Sequence, residues 1–397
     1  MIKTIYKAFS FRVYPTKEQE KILASCFGQA RFVYNYFLRQ KIDYYASHKC
    51  EEKQSLNYHD TAKMLTELKQ QPDTSWLKDS NAQSLQQSLR YLEIAYTHFF
   101  RDGFKFPNFK KKRNKQSFSV PQNFSIDIQE GRLNIPKITP IKIVLHRDME
   151  GIAKSVTISK KPSGKYFASI LCETKKDIKA RDTGGEIGID LGLKSFLVTS
   201  TGESIQPPKF LRVSEDKLKL AQRRLSRKQK GSAKRNKERI KVAKIHEKIF
   251  NQRNDFLHKL SHRLVSENQA IFAEDLNVKG IMANHHLAKS VADAGWSEFI
   301  RQVKYKSEWN GVYFGQIDRF FPSSKRCHAC RWINQSLTLK DREWTCQGCG
   351  RIVDRDWNAA QNILQFGQVG RDAAEPLKRP GRSRAVRRVA ELGSPLL

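Results

Sequence analysis

Acidic residues are scarce in this sequence. Forty Asp and Glu stand against 73 Lys and Arg, a formal net charge of +33. That surplus attracts polyanions strongly and with steep salt dependence. Composition alone leaves a basic membrane-surface protein or a ribosome-like scaffold open. No run of 18 apolar residues occurs, which excludes an ordinary membrane span. The opening Met1–Lys7 lacks the long apolar stretch of a secretory signal. No internal repeat is visible. What remains is a chain of 397 residues, 39% of them hydrophobic, enough for several cores in two or three domains.

Cysteines are few, and their placement is uneven. Cys26, Cys50 and Cys172 are scattered, whereas Cys327/Cys330 and Cys346/Cys349 form two Cys-x2-Cys pairs fifteen residues apart. Without a secretory signal this pattern predicts metal rather than disulfides. Four thiolates at this spacing complete a tetrahedral Zn2+ site with no open position, so the ion is structural. Gly348 and Gly350 relax the second knuckle, and His328 is expected to be a bystander.

Periodicity divides the chain. Phe9, Phe11 and Val13 alternate with polar residues as in a strand that Pro15 ends. Thr16 and Gln19 form a capping box, followed by a helical stripe of Ile22, Cys26, Ala30, Val33 and Phe37. Met64, Leu65 and Leu68 mark a second helix. Leu85, Leu89, Leu92, Ala95 and Phe99 mark a third, from about Asn81. After Pro107 and the basic run Lys110-Lys111-Lys112-Arg113 come short strands around Glu130-Gly131 and Pro162-Ser163-Gly164 turns. They predict a small barrel or sandwich, which the first strand joins, so that the helical unit is an insertion. Residues 217–248 hold fourteen Lys/Arg and only Glu238 and Glu247 as acids, a helix broken near Gly231. So much charge on one element repels itself without a polyanion, so the stretch is expected to lie along nucleic-acid phosphates, with Arg223, Arg224, Arg227 and Lys228 the chosen contacts. A solvated charged helix is the plain alternative.

Three carboxylates close or open apolar elements: Asp190 in Gly-Ile-Asp-Leu-Gly, Glu274 in Phe-Ala-Glu-Asp-Leu, and Asp356 in Asp-Trp-Asn-Ala-Ala. A charge at the edge of an apolar strand is costly unless a cation sits beside it. Three such acids meeting at one sheet edge would hold divalent metal. Two Mg2+ ions roughly 3.5–4 Å apart cleave phosphodiesters by activating water and stabilising the leaving oxygen. Each acid alone has an ordinary reading: a helix cap for Asp190, a surface acid for Glu274, an N-cap for Asp356.

The chain resembles the TnpB family, the transposon-encoded RNA-guided DNA endonucleases related to type V CRISPR effectors, along nearly its whole length. The likeness rests on Arg12-Val13-Tyr14-Pro15-Thr16 with Glu18-Gln19, Gly188-Ile189-Asp190-Leu191-Gly192, Glu274-Asp275-Leu276-Asn277, Pro322-Ser323-Ser324, and above all Asp354-Arg355-Asp356-Trp357-Asn358-Ala359-Ala360-Gln361-Asn362-Ile363. It implies a multidomain α/β plus β-barrel chain. An RNase H-like RuvC domain carries an inserted zinc ribbon, and an N-terminal wedge β-barrel carries a helical recognition insertion. The implied boundaries are 1–15 first wedge strand, 16–115 helical recognition domain, 116–182 rest of the wedge, 183–320 RuvC, 321–353 zinc ribbon, 354–368 RuvC C-terminal helix and 369–397 a basic flexible tail.

The family's catalytic acids match Asp190, Glu274 and Asp356, which implies Mg2+ or Mn2+ held by these three and one structural Zn2+ at the cysteines. Asp354 lies two residues away, but the family acid directly precedes x-Asn-Ala-Ala, which selects Asp356. Arg331 stands where a Gly is common after the second Cys. With no His-Asn-His motif evident, one RuvC site would serve both strands. The implied partners are a guide RNA from the transposon end, one protein chain per RNA, and double-stranded target DNA, in the cytoplasm of a bacterium or archaeon at the nucleoid. Guide pairing then carries sequence choice while the protein reads a short flanking motif. Gln83, Gln86, Gln87, Gln122 and Asn123 are the candidate readers, since amides pair with adenine. Lys110–Arg113 are candidate backbone contacts. The competing readings are a nuclease-independent RNA-guided DNA-binding regulator, a transposition accessory protein and a DDE-type transposase.

Overall fold

A computed structural model describes residues 2–48, 55–113, 115–181, 184–338 and 340–373. Cys50 and the tail cations from Lys378 onward lie outside the described residues. Residues 4–176 form one compact unit, and residues 177–373 with 2–3 form another.

The first unit opens with β1 (Ile2–Tyr14), α1 (Lys17–Ser47), α2 (Tyr58–Leu68), a 3-10 turn at Pro72–Asp79 and α3 (Ala82–Asp102). Then come β2 (Gln116–Val120), β3 (Ser125–Asp127), β4 (Arg132–Ile135), β5 (Ile138–Val144), β6 (Ile152–Lys160) and β7 (Tyr166–Asp177). One seven-stranded sheet runs β2-β6-β7-β1-β5-β4-β3. β1 sits in its middle with Phe11 and Val13 fully buried, so the helices are inserted between a central strand and its later neighbours. Thr16 and Gln19 form the expected capping box, and the Gln19 amide also donates to the Thr139 carbonyl, tying α1 to the sheet. The buried stripe of α1 differs by one residue from the periodicity reading. Leu23 is fully buried, whereas Ile22 is exposed, because Phe27 and Ala30 set the stripe's phase against the sheet.

The second unit contains β8 (Glu186–Leu191), β9 (Leu197–Thr199), β10 (Ser204–Ile205), α4 (Phe210–Val213), α5 (Glu215–Ser226) and α6 (Ala233–Glu267). It continues with β11 (Ala270–Glu274), α7 (Val278–Met282), α8 (His285–Ala294), α9 (Trp296–Asn310), β12 (Tyr313–Ile317), β13 (Glu343–Thr345), β14 (Ile352–Asp354) and α10 (Arg355–Ala373). Five strands form a sheet in the order β10-β9-β8-β11-β12. β9 is antiparallel to both of its neighbours, β10 and β8, and β8, β11 and β12 are parallel. Alternation along β11 dictates the layers. Ile271 and Ala273 face Leu257, Leu260 and Leu264 of α6 and Phe299 of α9, while Ala270 and Phe272 pack with Ile363 of α10.

The basic stretch is α5 and the first half of α6, broken at Gly231, whose φ is +87°. Arg235 closes the turn by donating to the carbonyls of Leu225 and Lys228. The part of the basic stretch after Gly231 and the apolar segment Phe256–Leu264 are one continuous 35-residue helix. α10 runs on to Ala373, so residues 369–373 of the expected tail are helical. Among the described residues no helix is long and apolar enough to cross a membrane.

Candidate active site and zinc ribbon

β8 and β11 lie side by side and parallel, with Ala273 opposite Ile189. The next residue on each strand is an acid, Glu274 and Asp190, so both emerge at the same end of the sheet. The third acid arrives on α10. That helix crosses β8 at Gly188, where a Cβ would lie 2.3 Å from the Ala360 carbonyl oxygen, and β11 at Phe272, against which a Cβ on Gly367 would lie 2.3 Å from the ring. The two glycines let the helix lie directly on the strands and bring Asp356, one turn before Ala360, to the edge where Asp190 ends.

The neighbouring acid has a different job. The Asp354 carboxylate accepts from the Trp357 amide at 2.7 Å, so Asp354 rather than Asp356 caps α10. Asp356 is free of capping and points its oxygens at guanidinium groups. Arg355 donates to Oδ1 at 3.0 and 2.9 Å, and Arg342 stands 3.5 Å from Oδ2.

Electrostatics mark the same edge. Burial, then the negative charges of Asp356 and Glu274, push the Asp190 carboxyl up to about 7. Burial, with Asp275 adding repulsion, pushes Glu274 up to about 7 as well. Asp275 itself is paired with Arg319. Such crowding of like charge is what a cation relieves, and hard carboxylate oxygens suit Mg2+ or Mn2+.

The rest of the α10 motif is structural, and sequence reasoning assigned it no role. Trp357 and Gln361, four apart on one face, both donate to the Ser200 carbonyl, at 3.1 and 2.6 Å. Ser200 in turn pairs with both backbone groups of Gly188, so the β9 end, β8 and α10 are locked together. On the next face Asn358 and Asn362, both buried, donate to the Arg326 carbonyl at 2.7 and 2.6 Å. Asn362 also reaches the Ser323 carbonyl at 2.8 Å, and the Asn358 oxygen accepts from the His328 amide at 2.9 Å. The two asparagines thereby clamp the loop leading into the first cysteine pair. Their i, i+4 spacing was the available signal.

Beyond that loop the four cysteine sulfurs lie within 4.8 Å of one another, the one such cluster among the described residues. Cys327 to Cys349 is 3.8 Å and Cys330 to Cys346 is 3.4 Å. Tetrahedral Zn–S bonds of about 2.3 Å need sulfurs about 3.8 Å apart, so the donor set fits zinc. Cys327, Cys346, Leu337, Trp344 and Val353 form the ribbon's own small core. His328 is not in the cluster; its ring sits edge-on to Trp357 at 4.8 Å. Arg331 adopts φ +68°, the left-handed conformation that a glycine would take without strain.

The candidate nucleic-acid contacts are distributed as follows. Arg223, Arg224, Arg227 and Lys228 are all exposed on α5 and the following turn. Lys111, Lys112 and Arg113 are exposed, while the Lys110 ammonium sits 3.8 Å over the Tyr34 ring and its backbone is held by Asn35. Gln83 donates to Gln122 at 3.1 Å, which joins the start of α3 to the turn after β2. Gln86 and Asn123 are exposed there, and Asn123 has φ +59°. Gln87 is buried beside the Tyr91 hydroxyl.

Three family profiles match the chain: one described as a probable transposase over residues 169–285, a Cas12f1-like TNB domain over 296–363 and a helix-turn-helix domain over 1–50. The last covers β1 and the long helix α1 in this fold. A protein of Streptomyces pristinaespiralis named a candidate RNA-guided DNA endonuclease is 39% identical over 92% of this chain and 90% of its own length. The chain belongs to the TnpB family. Another member, InsQ of Escherichia coli K12, also named a candidate RNA-guided DNA endonuclease, is 33% identical over 91% of this chain and 92% of its own. A TnpB-like protein of Acanthamoeba polyphaga mimivirus is 24% identical over 90% of this chain and 72% of its own. The fold is similar to the Cas12f1 protein solved by cryo-EM in complex with sgRNA and target DNA, with TM-score 0.53 and 14% identity over 91% of this chain and 99% of that one.

Proposed function

We propose that this TnpB-family chain is an RNA-guided DNA endonuclease that hydrolyses phosphodiesters where Asp190, Glu274 and Asp356 converge. The observation that carries this reading is the meeting of carboxylates at one end of parallel strands, where burial first, and then the charges of Asp356 and Glu274, push Asp190 up to about 7. Strand order supports it: three antiparallel strands followed by two parallel to the first is an RNase H-like arrangement, as a RuvC domain requires. The seven-stranded sheet with its inserted helices supports the wedge and recognition units.

Asp190, Glu274 and Asp356 would hold Mg2+ or Mn2+, which when bound supplies an activated water and charge neutralisation at the leaving oxygen. The chain's own part is positional. β8 and β11 fix two carboxylates rigidly, α10 carries the third, and the Asn358/Asn362 clamp keeps the zinc ribbon beside it. Arg355 and Arg342 hold the Asp356 carboxylate in orientation and offset its charge. The exposed cations of α5 and α6 favour guide RNA as the polyanion, with double-stranded DNA as substrate and the cytoplasm of a bacterium as the setting. Intact acids at all three positions favour an active nuclease over a binding-only regulator. The test is cleavage of target DNA by protein loaded with its own transposon-end RNA. Asp190→Ala should abolish cutting while target binding persists; full cutting by that variant ends the proposal.

A further inference from the structure

The C-terminal end of α3 and the segment after it carry aromatic rings that the fold leaves exposed. Phe100, Phe104, Phe106 and Phe109 are 75%, 63%, 43% and 41% exposed, within ten residues of chain. Large apolar side chains clustered this way on a surface mark an interaction site. These rings are also held. Phe99 meets Phe100 at 4.9 Å and Phe106 at 5.3 Å, both edge to face. Tyr96 lies 5.6 Å from Phe106, His98 lies 5.2 Å from Phe104, and Arg39 sits 5.7 Å over Phe109. The helix ends at Gly103, with φ +66°, and residues 104–111 form no regular element.

Charge identifies the occupant. Residues 99–113 hold Arg101, Lys105, Lys110, Lys111, Lys112 and Arg113 against one acid, Asp102, which His98 already engages at 2.5 Å. A second copy of this chain would bring the same positive charge to the face, and residues 374–397 are themselves rich in arginine. Flat rings spaced among cations are the chemistry that takes unpaired bases by stacking and their phosphates by charge. Sequence-tolerant stacking of splayed bases is how proteins hold single-stranded segments of RNA.

We propose that the Phe100/Phe104/Phe106/Phe109 face is a stacking platform for an unpaired segment of RNA. This rests on the RNA-guided reading above and deepens it. Nucleic-acid-free full-length protein is titrated into a labelled oligouridylate of about twenty nucleotides, an oligothymidylate of the same length and an RNA duplex. The variants are Phe100→Ala/Phe104→Ala, Phe100→Leu/Phe104→Leu and Phe100→Trp/Phe104→Trp. Loss of about tenfold or more in oligouridylate affinity is expected for both the alanine and leucine pairs. Near wild-type binding is expected for the tryptophan pair. Duplex affinity and the salt slope should not move, because no charge is lost. Leucine variants that bind like wild type would overturn the proposal, since an apolar patch would then suffice. Equal losses on duplex, losses confined to oligothymidylate, or self-association of wild type that the alanine pair abolishes would each overturn it. If wild type binds duplex RNA only, this inference fails while the RNA-guided reading stands. If it binds no RNA, both fail.

Discussion

Asp354 and Trp357 are joined by a 2.7 Å hydrogen bond that makes Asp354 the cap of α10, whereas Asp356 faces the guanidinium groups of Arg355 and Arg342. Two acids two residues apart thus have different partners, and the proposed nuclease site uses only Asp356. Asp354→Ala should cost about 1 kcal/mol of stability, the usual loss for an N-cap, and retain cutting. Asp356→Ala should remove cutting and leave guide and target binding intact. Paired cleavage and melting measurements decide it; the reverse pattern would assign the metal to Asp354.

Gly188 should tolerate no side chain. A methyl group there meets the Ala360 carbonyl and the Leu364 amide, both backbone atoms that cannot rotate away. Gly188→Ala should destabilise the nuclease unit by about 1–3 kcal/mol, as overpacking does, and impair cutting by displacing Asp356. An unchanged denaturation midpoint would mean that α10 shifts without cost.

Asn358 joins helix and ribbon through buried bonds to the Arg326 carbonyl and the His328 amide. Asn358→Ala strands the His328 amide and leaves the Arg326 carbonyl to Asn362 alone, with an expected loss of about 1–3 kcal/mol. Zinc release to a colorimetric chelator should quicken, although no ligand has been touched. Cys327→Ser should lower zinc below one ion per chain outright. Wild-type release kinetics in Asn358→Ala would count against the clamp.

Proton linkage gives a further check. In divalent-free buffer with zinc retained, Asp190 and Glu274 hold protons up to about pH 7 in the folded chain, while their unfolded counterparts ionise in the ordinary carboxylate range. The folded state then binds more protons, so stability falls as pH rises toward 7 and levels off above it. Asp190→Asn should flatten that decline and melt higher than wild type at pH 8. Parallel pH profiles for the two proteins would show that Asp190 is not strained.

The exposed cations of α5 predict a salt effect. Neutralising Arg223, Arg224, Arg227 and Lys228 together should weaken guide RNA binding and reduce its salt slope by roughly 0.7–0.9 per lost phosphate contact. An unchanged slope would make α5 a solvated face.

Much of this was legible beforehand, for identifiable reasons. Alternation exposed β1 and cysteine spacing exposed the four-thiol cluster, because each signal is local, and Asp190 and Glu274, which close apolar runs, do stand at the same end of neighbouring strands. Ile22 and Leu23 are equally apolar neighbours, and only the phase set by the sheet under α1 decides which is buried. The partners of Asn358 and Asn362 lie more than thirty residues upstream, where no periodicity points. Arg331 stands out as a residue where a Gly is common, and its left-handed backbone gives the reason.

The place of β1 also sets a timetable for the growing chain. Its partner β5 pairs Val144 with Arg12, so the strand is made about 130 residues before the neighbour it needs. At roughly 5–20 residues per second a ribosome takes about 7–26 s to deliver that neighbour. For that interval Phe9, Phe11 and Val13 wait on nascent chain with no sheet to enter, while the helices of the insertion can already collapse on one another. Slower translation of the codons between Arg12 and Val144 would lengthen the exposure, and chaperone demand during synthesis should rise with it.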